Sequence, residues 1–434
     1  MWGNSNHHTD ASDTNGLTTD RRSFMGGVGT AAGFGSLLGP RSDLGGSGDV
    51  PRGSDATFYV FRDTSRYRVA SSKTGGTEFT VRADRNAEEA FQYAFDNLPD
   101  RGGTVVASTD EFRFGGPATM SDGTWLTGGV GTRFITYVEG RTDGFLGSDR
   151  QFGPDIIRMR GDGVAVTNIE FDGAGTQVNS HAVQADECTG VLMANNRTVN
   201  GFQMALSFTG CENVVVRGNE VTGPAWYGIT SRGSRDDIDL KQSSDVLIAG
   251  NRVSDLSFNN IAPYNVSNFS VVGNVCYRGG HSLIACSPAQ QGTIVGNVCR
   301  DLELEPLAAD PGGEAGLEIE YKETHLRDEV KGTPEETSFD ITVANNHVEN
   351  CGVGFICRTV PIDSADEDEF RQTKRPYSFS VTGNAINSCD TGILVRSGAN
   401  GVIATNTLRD NDTQVDIRDS PYTTEIETGL NVTR

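Results

Sequence analysis

The sequence predicts an all-β solenoid whose coils each hold three short strands. Asn recurs eight times at the end of a short apolar strand, and the steps between successive Asn are 23, 32, 23, 23, 49, 38 and 22 residues. A repeat of about 23 residues built from short β-prone segments is typical of stacked coils. The series comprises Asn196, Asn219, Asn251, Asn274, Asn297, Asn346, Asn384 and Asn406.

Two apolar columns flank the Asn series. The residue three positions before each Asn is apolar in all eight coils, and the residue two positions after each of the last seven is apolar as well. A third short strand, often opened by Gly, follows about ten residues later. Because Gly and Asn mark the corners between these segments, each coil is predicted to contain three strands. The Gly-opened strands begin at Gly228, Gly316, Gly354 and Gly392.

This pattern resembles the right-handed parallel β-helix of the pectin-lyase-like superfamily, over roughly residues 78–420. The resemblance implies parallel strands stacked about 4.8 Å apart. It also implies an inward Asn ladder, whose amides donate and accept hydrogen bonds between coils. We expect the ladder Asn to tolerate a left-handed backbone at its tight corner. Asn168, in the first coil, is one residue out of register.

The N-terminal segment resembles a twin-arginine export signal. Arg21-Arg22-Ser-Phe24 precedes a weakly apolar, Gly-rich stretch over residues 26–38. We therefore predict a signal region over residues 1–40 and a flexible linker over 41–55. The stretch is too short and too rich in Gly to span a bilayer, so we expect a secreted protein without membrane insertion.

Composition indicates the environment and restricts the partners. The net charge is −22, and only five of the 36 basic residues are Lys. An acidic, Lys-poor chain indicates a halophilic host such as a haloarchaeon. No basic stripe runs along the sequence, so nucleic acid is not an expected partner.

Residues 56–155 are predicted to form an N-terminal cap and irregular first coils, and residues 156–434 the parallel β-helix. Apolar residues recur at helical spacing from Ala87 to Leu98, which predicts a capping helix over 86–98. Asn86 and Glu89 have the spacing of a capping box, and Pro99 is expected to end the helix. Such a cap covers the unpaired edge of the first coil.

Cys276 and Cys299 occupy a column that holds Val, Ile or Leu in other coils. We expect them to be buried free thiols stacked one above the other. A disulfide between them is the alternative, because neighbouring coils bring Cα atoms within bonding range.

The long steps in the Asn series locate insertions at one corner of the solenoid. Extra residues follow the Gly-opened strands over 231–244, 322–338 and 360–376, and one insertion, 302–315, precedes such a strand. These loops are predicted to wall a groove over the Gly-opened sheet. In the pectin-lyase-like superfamily that sheet carries the polysaccharide cleft, so the resemblance implies a polysaccharide partner. Loops of this kind are also typical of solvated surface without a role.

Alternation along the Gly-opened strands predicts which side chains face this groove. Glu318 and Glu320 project from one strand onto the same face, about 7 Å apart, and His281 lies at the lip of the preceding coil. We predict that these three residues are catalytic. The same register places Leu283 inward and both Ile284 and Cys286 outward. The predicted substrate-binding residues are Arg232, Tyr264, Lys322, Arg358 and Arg396.

Two chemistries fit these residues. Two carboxylates at that separation suit an inverting glycoside hydrolase, in which mutual repulsion raises one pKa. The alternative is a polysaccharide lyase, in which Glu318 and Glu320 bind Ca²⁺ and Lys322, Arg358 or His281 removes a proton. Apart from that Ca²⁺, no cofactor or metal is predicted. A purely structural interpretation pairs the two Glu with Arg358 and Arg396 in a cross-strand salt-bridge ladder.

The chain departs from the best-known members of the superfamily. Polygalacturonases carry paired Asp motifs and a Gly-His-Gly element, of which only Gly280-His281-Ser282 has a counterpart here. The Trp-x-Asp-His element of pectate lyases is absent from the sequence. We therefore expect a secreted, monomeric polysaccharide-active enzyme for a less familiar glycan. The alternative is a non-catalytic glycan-binding or cell-surface β-helix protein.

Overall fold

The computed structural model describes residues 57–84, 86–136, 155–174, 181–223, 226–231, 241–302, 315–322, 336–360, 374–418 and 422–433. The predicted signal region and linker, most of the corner insertions and Arg232 lie outside these residues. No helix within the described ranges is long and apolar enough to cross a membrane.

The chain enters the solenoid through a small antiparallel sheet and one helix. Strands β1 (Thr57–Asp63), β2 (Arg66–Ser71) and β3 (Thr77–Arg82) pair antiparallel in sequence order, which the repeat analysis did not predict. Helix α1 (Ala87–Asp96) follows and buries Ala87, Ala90, Phe91, Ala94 and Phe95. The predicted capping helix is therefore confirmed.

The predicted capping box at the start of α1 is wrong. The Asn86 side chain makes no hydrogen bond to the helix backbone. Its Nδ2 donates instead to Glu89 Oε1 at 2.8 Å. The helix begins with a side chain–side chain contact because these two polar groups satisfy each other.

Three parallel sheets form the solenoid, and each coil contributes in turn to the first, second and third sheet. The first sheet contains β4 (Gly103–Ala107), β7 (Thr124–Thr127), β10 (Val164–Thr167), β13 (Thr189–Ala194), β16 (Glu212–Arg217), β19 (Ser243–Ala249), β22 (Tyr264–Val272), β27 (Phe339–Ala344), β30 (Tyr377–Thr382), β33 (Gly398–Ala404) and β36 (Thr423–Thr428).

The second sheet follows the Asn corner. It contains β5 (Glu111–Phe114), β8 (Arg133–Thr136), β11 (Glu170–Asp172), β14 (Arg197–Val199), β17 (Glu220–Thr222), β20 (Arg252–Leu256), β23 (Val275–Gly279), β25 (Val298–Arg300), β28 (His347–Glu349), β31 (Ala385–Asn387), β34 (Thr407–Arg409) and β37 (Val432–Thr433).

The third sheet holds the Gly-opened strands. It contains β6 (Ala118–Met120), β9 (Ile157–Met159), β12 (His181–Asp186), β15 (Met204–Thr209), β18 (Tyr227–Thr230), β21 (Ile261–Ala262), β24 (Ile284–Val295), β26 (Ala315–Lys322), β29 (Val353–Val360), β32 (Thr391–Val395) and β35 (Thr413–Ile417). Strand β24 begins in this sheet and continues into the first. Gly is required near the corner at Gly316 and Gly354, where a Cβ would lie 2.4 and 2.3 Å from side-chain carbons of the second sheet.

The Asn ladder runs through the interior as predicted. At a typical rung, the Asn274 backbone N–H donates to Asn297 Oδ1 at 2.9 Å, while its Nδ2 donates to Asn297 Oδ1 and to the Ile248 carbonyl, both at 3.0 Å. Asn431 adds a further rung below Asn406. Each buried amide therefore has partners in the neighbouring coils, which satisfies the polar corner inside an apolar core.

The left-handed backbone falls one residue before each ladder Asn, so the expected position was wrong. The column of positive φ holds Asn168, Asn195, Gly218, Gly250, Gly273, Gly296, Asn345, Gly383 and Thr405. This explains the shift in the first coil, because Asn168 belongs to that column and Ile169 stands where the ladder Asn would be. The Ile169 backbone N–H donates to Asn196 Oδ1 at 3.2 Å.

The core consists of the two apolar columns and the inward residues of the third sheet. All eight cysteines are buried free thiols. Cys276 pairs in register with Cys299 on the neighbouring coil, as the repeat predicted.

Candidate functional site

The outer face of the third sheet, meaning the side turned away from the core, carries the candidate site. Its side chains lie in two columns whose members are stacked by the parallel register of β12 to β32. Apolar members of these columns form two clusters separate from the main core. The first column contains His181, Met204, Tyr227, Asn259, Ser282, Ala315 and Val353, and the second Gln184, Ser207, Thr230, Ala262, Ala285, Glu318 and Ile356.

The observed register corrects one part of the prediction. Ile284 pairs with Leu317 and Cys286 with Ile319, and all four belong to the main core. Ala285, opposite Glu318, takes the outward position instead. Ile284 and Cys286 therefore point inward, because the strand is shifted by one residue from the predicted alignment.

Glu318 is held at both carboxylate oxygens. Its side chain is 0% exposed. Ser282, on the preceding coil, donates its hydroxyl to Oε2 at 2.5 Å, and Arg358, on the following coil, donates Nε to Oε1 at 2.5 Å. The parallel register brings these three residues together although they are 36 and 40 positions apart in sequence.

Glu320 faces the same guanidinium. Glu320 and Arg358 are backbone partners across β26 and β29, and Arg358 Nη2 lies 3.7 Å from Glu320 Oε2. Glu320 is 2% exposed and Arg358 is 3% exposed. One buried cation thus lies between two buried carboxylates. We call Ser282, Glu318, Glu320 and Arg358 the carboxylate cluster.

The carboxylate cluster keeps Glu318 charged. Burial opposes the charged form, but the Arg358 guanidinium, the nearby His281 and the Ser282 hydroxyl together hold the pKa of Glu318 below its ordinary value. The raised pKa that the sequence analysis expected for one of the two carboxyls therefore does not belong to Glu318. Glu318 is therefore ionised at neutral pH and has no proton to donate, so its only acid–base role is that of a base.

His281 reaches the cluster through a tight turn. Its side chain is 7% exposed, acts electrostatically on Glu318, and packs against Phe258 with ring centroids 4.3 Å apart. The turn needs glycine at Gly280, where a Cβ would lie 2.3 Å from the Ser257 carbonyl oxygen.

An aromatic group lies beside the carboxylate cluster on the same face, and most of its residues were not predicted from the sequence. Tyr264 lies on this face, as predicted, and is buried. Asn259 Nδ2 donates a hydrogen bond to the Tyr264 hydroxyl at 2.5 Å. Tyr227 and Phe258 pack edge to face at 5.2 Å between ring centroids, and Trp226 lies 5.6 Å from Phe258. Residues from separate coils form this group, so only the coil register could have revealed it.

Hydrogen bonds connect the aromatic group to the carboxylate cluster. Asn259 Oδ1 accepts the backbone N–H of Ser282 at 3.0 Å, and the Ser282 hydroxyl in turn donates to Glu318. The chain from Tyr264 through Asn259 and Ser282 fixes the orientation of Glu318.

No contact with the carboxylate cluster is described for the other predicted binding residues. Lys322 ends β26, opposite Val360, and is half-buried. Arg396 is half-buried and donates its backbone N–H to the Cys357 carbonyl at 2.9 Å. Arg232 lies outside the described residues. Their roles in substrate binding stay predictions.

The carboxylate cluster does not fit the Ca²⁺ site considered for a lyase. The Arg358 guanidinium already lies against both carboxylates, so a cation bound there would have to displace it. Within the described ranges, no group of three or more His, Cys, Asp or Glu residues is arranged to hold a metal ion.

The fold agrees with comparisons to known proteins. Residues 155–301 match the family described as right handed beta helix region. No curated protein sequence matches the chain. The chain is a right-handed parallel β-helix.

Three solved structures illustrate the likeness. The surface adhesin PfbA of Streptococcus pneumoniae is 14% identical, with a TM-score of 0.60 over 81% of this chain and 87% of that chain. An exopolygalacturonase from Thermotoga maritima is 12% identical, with a TM-score of 0.55 over 80% and 87%. The A-module of mannuronan C-5 epimerase AlgE4 from Azotobacter vinelandii is 13% identical, with a TM-score of 0.51 over 80% and 93%. At these identities the likeness shows the fold alone.

Proposed function

We propose that the chain is a polysaccharide-cleaving enzyme that binds a glycan along the outer face of the third sheet and hydrolyses it at the carboxylate cluster. One observation carries the proposal. Glu318 is buried and held charged beside a second buried carboxylate, Glu320, next to an aromatic group on the same face. Two similar folds, the exopolygalacturonase and the epimerase, act on polysaccharides, which supports this assignment.

We assign the two carboxyls different roles from their distances to Arg358. Arg358 bonds Glu318 at 2.5 Å and lies 3.7 Å from Glu320. In the proposed reaction the ionised Glu318 is the base, and Glu320, which lies farther from Arg358, is the acid.

The proposed reaction is an inverting hydrolysis. Glu318 takes a proton from water, whose oxygen bonds to the anomeric carbon, while Glu320 gives its proton to the leaving glycosidic oxygen as the C–O bond breaks. Outward positions two residues apart on a strand lie about 7 Å apart. This is a backbone spacing, and inversion requires the two carboxyl groups themselves to be about 6.5–9.5 Å apart. Within the aromatic group, the half-buried Trp226 and Phe258 offer surface on which sugar rings stack.

The lyase alternative is less favoured by the geometry. A lyase needs a cation to neutralise a uronate, and Arg358, one of the predicted candidates, instead contacts Glu318 and Glu320. Lys322 and His281 remain the candidate bases if that chemistry operates.

The test is a panel of polymannuronate, polygalacturonate and neutral glucans at molar salt, with reducing ends and the absorbance of unsaturated sugars followed together. Hydrolysis predicts new reducing ends without that absorbance. Glu318→Gln and Glu320→Gln should each lower turnover by about 10²–10⁴-fold with little change in glycan binding. Glu220→Gln, on the second sheet, is the matched control and should leave turnover unchanged. Unsaturated products would establish a lyase instead.

A non-catalytic glycan-binding protein is the second candidate. Both oxygens of Glu318 are bonded and its side chain is wholly buried, which also suits a structural ion pair. The adhesin shares the fold as well. This candidate predicts that no glycan in the panel is cleaved and that Glu318→Gln leaves glycan affinity intact.

A further inference from the structure

A second polar group lies on the outer face of the third sheet, far from the carboxylate cluster. His181 begins β12, and Asp155 and Arg158 lie on the preceding coil. Five coil steps separate β12 from β26, which corresponds to about 24 Å at the spacing of parallel strands. These residues are not among the predicted site residues, and the proposed hydrolysis does not use them.

Asp155 fixes the orientation of His181. Its Oδ1 lies 2.6 Å from His181 Nδ1 and 3.2 Å from the backbone nitrogen of His181, and its Oδ2 accepts Arg158 Nε at 2.6 Å. Burial opposes the charge of Asp155, but His181 and Arg158 lower the pKa of this carboxyl to about 2. A carboxylate only accepts hydrogen bonds, so the proton of a neutral His181 must lie on Nδ1.

The other ring nitrogen is then a buried acceptor that lacks a donor. His181 is 1% exposed, and its Nε2 has no hydrogen-bond partner among the described residues. His181 is in register with Met204 in the outward column, so the ring lies on the outer face. A buried acceptor without a donor costs free energy unless a ligand or a water supplies one.

Gln184 supplies a second acceptor of the same kind on this strand. Its Nε2 donates to Asp186 Oδ1 at 2.6 Å and to the Ala185 carbonyl at 3.2 Å, which fixes the amide orientation. Its Oε1 is buried and has no hydrogen-bond partner among the residues that the structure describes. Gln184 is in register with Ser207 and therefore faces outward like His181.

We propose that His181 Nε2 and Gln184 Oε1 form a second binding site, which takes a ligand with neighbouring hydroxyl donors such as a sugar unit. Two preoriented acceptors without donors are complementary to a polyol rather than to an anion. The site does not depend on turnover at Glu318, and its occupation is a separate property of the chain.

The experiment is imidazole ¹⁵N NMR on the full chain, labelled at histidine, at pH 7 and molar salt. The His181 signal is assigned by its loss in His181→Gln or, should that variant fail to fold, by replacing each of the other histidines in turn. The probes are the disaccharides of galacturonate, mannuronate and α-linked glucose, each titrated to saturation. The proposal requires a protonated Nδ1 and an unprotonated Nε2 in the free protein, and at least one disaccharide should shift the Nε2 signal saturably.

A matched pair of variants separates binding from a general loss of structure. Gln184→Met should weaken the saturable shift at least tenfold, because it removes one of the two acceptors. Gln290→Met replaces another buried Gln, on the first sheet, and should leave the shift unchanged.

Three results would overturn the proposal. A proton on Nε2 in the free protein would remove the acceptor. No saturable shift with any disaccharide would mean that ordered water alone satisfies these atoms. A stoichiometric shift with ZnCl₂ and none with sugars would make this a metal site. None of these outcomes bears on whether glycans are cleaved at the carboxylate cluster, so the two proposals fail independently.

Discussion

Replacing Arg358 by Met should destabilise the protein strongly at neutral pH and much less in mild acid. Met has similar length and no charge, so Arg358→Met leaves Glu318 and Glu320 buried together without their cation. Removing one partner of a buried ion pair typically costs about 3–5 kcal/mol. Arg358 contacts the charged Glu318 and also the buried Glu320, so we expect the upper part of that range at pH 7.

The pH dependence provides the sharper test. In the native protein the pKa of Glu318 is below its ordinary value, so its contribution to stability is present above about pH 4.3 and is lost as the pH falls through the folded pKa. Without Arg358, burial and mutual repulsion raise the pKa of the remaining carboxyls. Protonation then relieves the cost of burying these charges. The loss of unfolding free energy caused by Arg358→Met (the deficit) should therefore be smaller at pH 5 than at pH 7.

Urea denaturation followed by circular dichroism at both pH values measures this deficit. Arg197→Met is the matched control, because Arg197 pairs with Glu170 at 2.7 Å while its side chain is 49% exposed. An exposed pair contributes about 0–1 kcal/mol, and we expect no change of the deficit between pH 7 and pH 5. An Arg358→Met deficit below about 1 kcal/mol, or one that is equal at both pH values, would contradict a buried, charged cluster.

Three further predictions concern the scaffold around the site. Asn274→Ala removes four side-chain hydrogen bonds inside the ladder and should lower the free energy of unfolding, measured by urea denaturation, by about 4 kcal/mol. Asn431→Ala, at the half-buried last rung, should lower it by less than half as much. Equal costs would contradict the ladder. Cys276→Val should change the free energy of unfolding by less than about 1.5 kcal/mol, since the same column holds Val in the preceding coil, and a reductant should not shift the urea midpoint of the native protein. Gly280→Ala should lower the free energy of unfolding by about 1–3 kcal/mol and lower any turnover, because the new methyl group must push the turn that holds His281 away from Ser257. An unchanged urea midpoint would contradict this close approach.

Periodicity made the fold readable from sequence because each coil repeats the same inward columns. The Asn ladder, the apolar columns and the capping helix follow from such spacing, and the structure confirms them. The antiparallel strands β1 to β3 do not repeat, so no column revealed them. The capping box failed for a different reason, since Asn86 and Glu89 have the required spacing but bond to each other.

The outer face was only partly predictable. Glu318, Glu320 and Arg358 were identified because strand alternation is unambiguous after Gly316 and after Gly354. One coil earlier, Leu283 and Ile284 are both apolar and both buried, so hydrophobicity alone could not resolve a shift of one residue. That ambiguity placed Cys286 on the wrong side of the sheet.

The partnerships that matter on this face join residues one coil apart rather than residues within one motif. Ser282 and Glu318 are 36 residues apart, Glu318 and Arg358 are 40 apart, and Asp155 and His181 are 26 apart. The register steps of these three coils are 33, 38 and 26 residues, and the partners lie within three residues of that step, so no fixed motif spacing could represent all three. In a solenoid the insertions change the sequence distance between partners, while the stacking of strands keeps their distance in space constant. Functional groups on such a fold are therefore found by aligning coils first and then comparing the outward column, residue by residue, for ionisable neighbours.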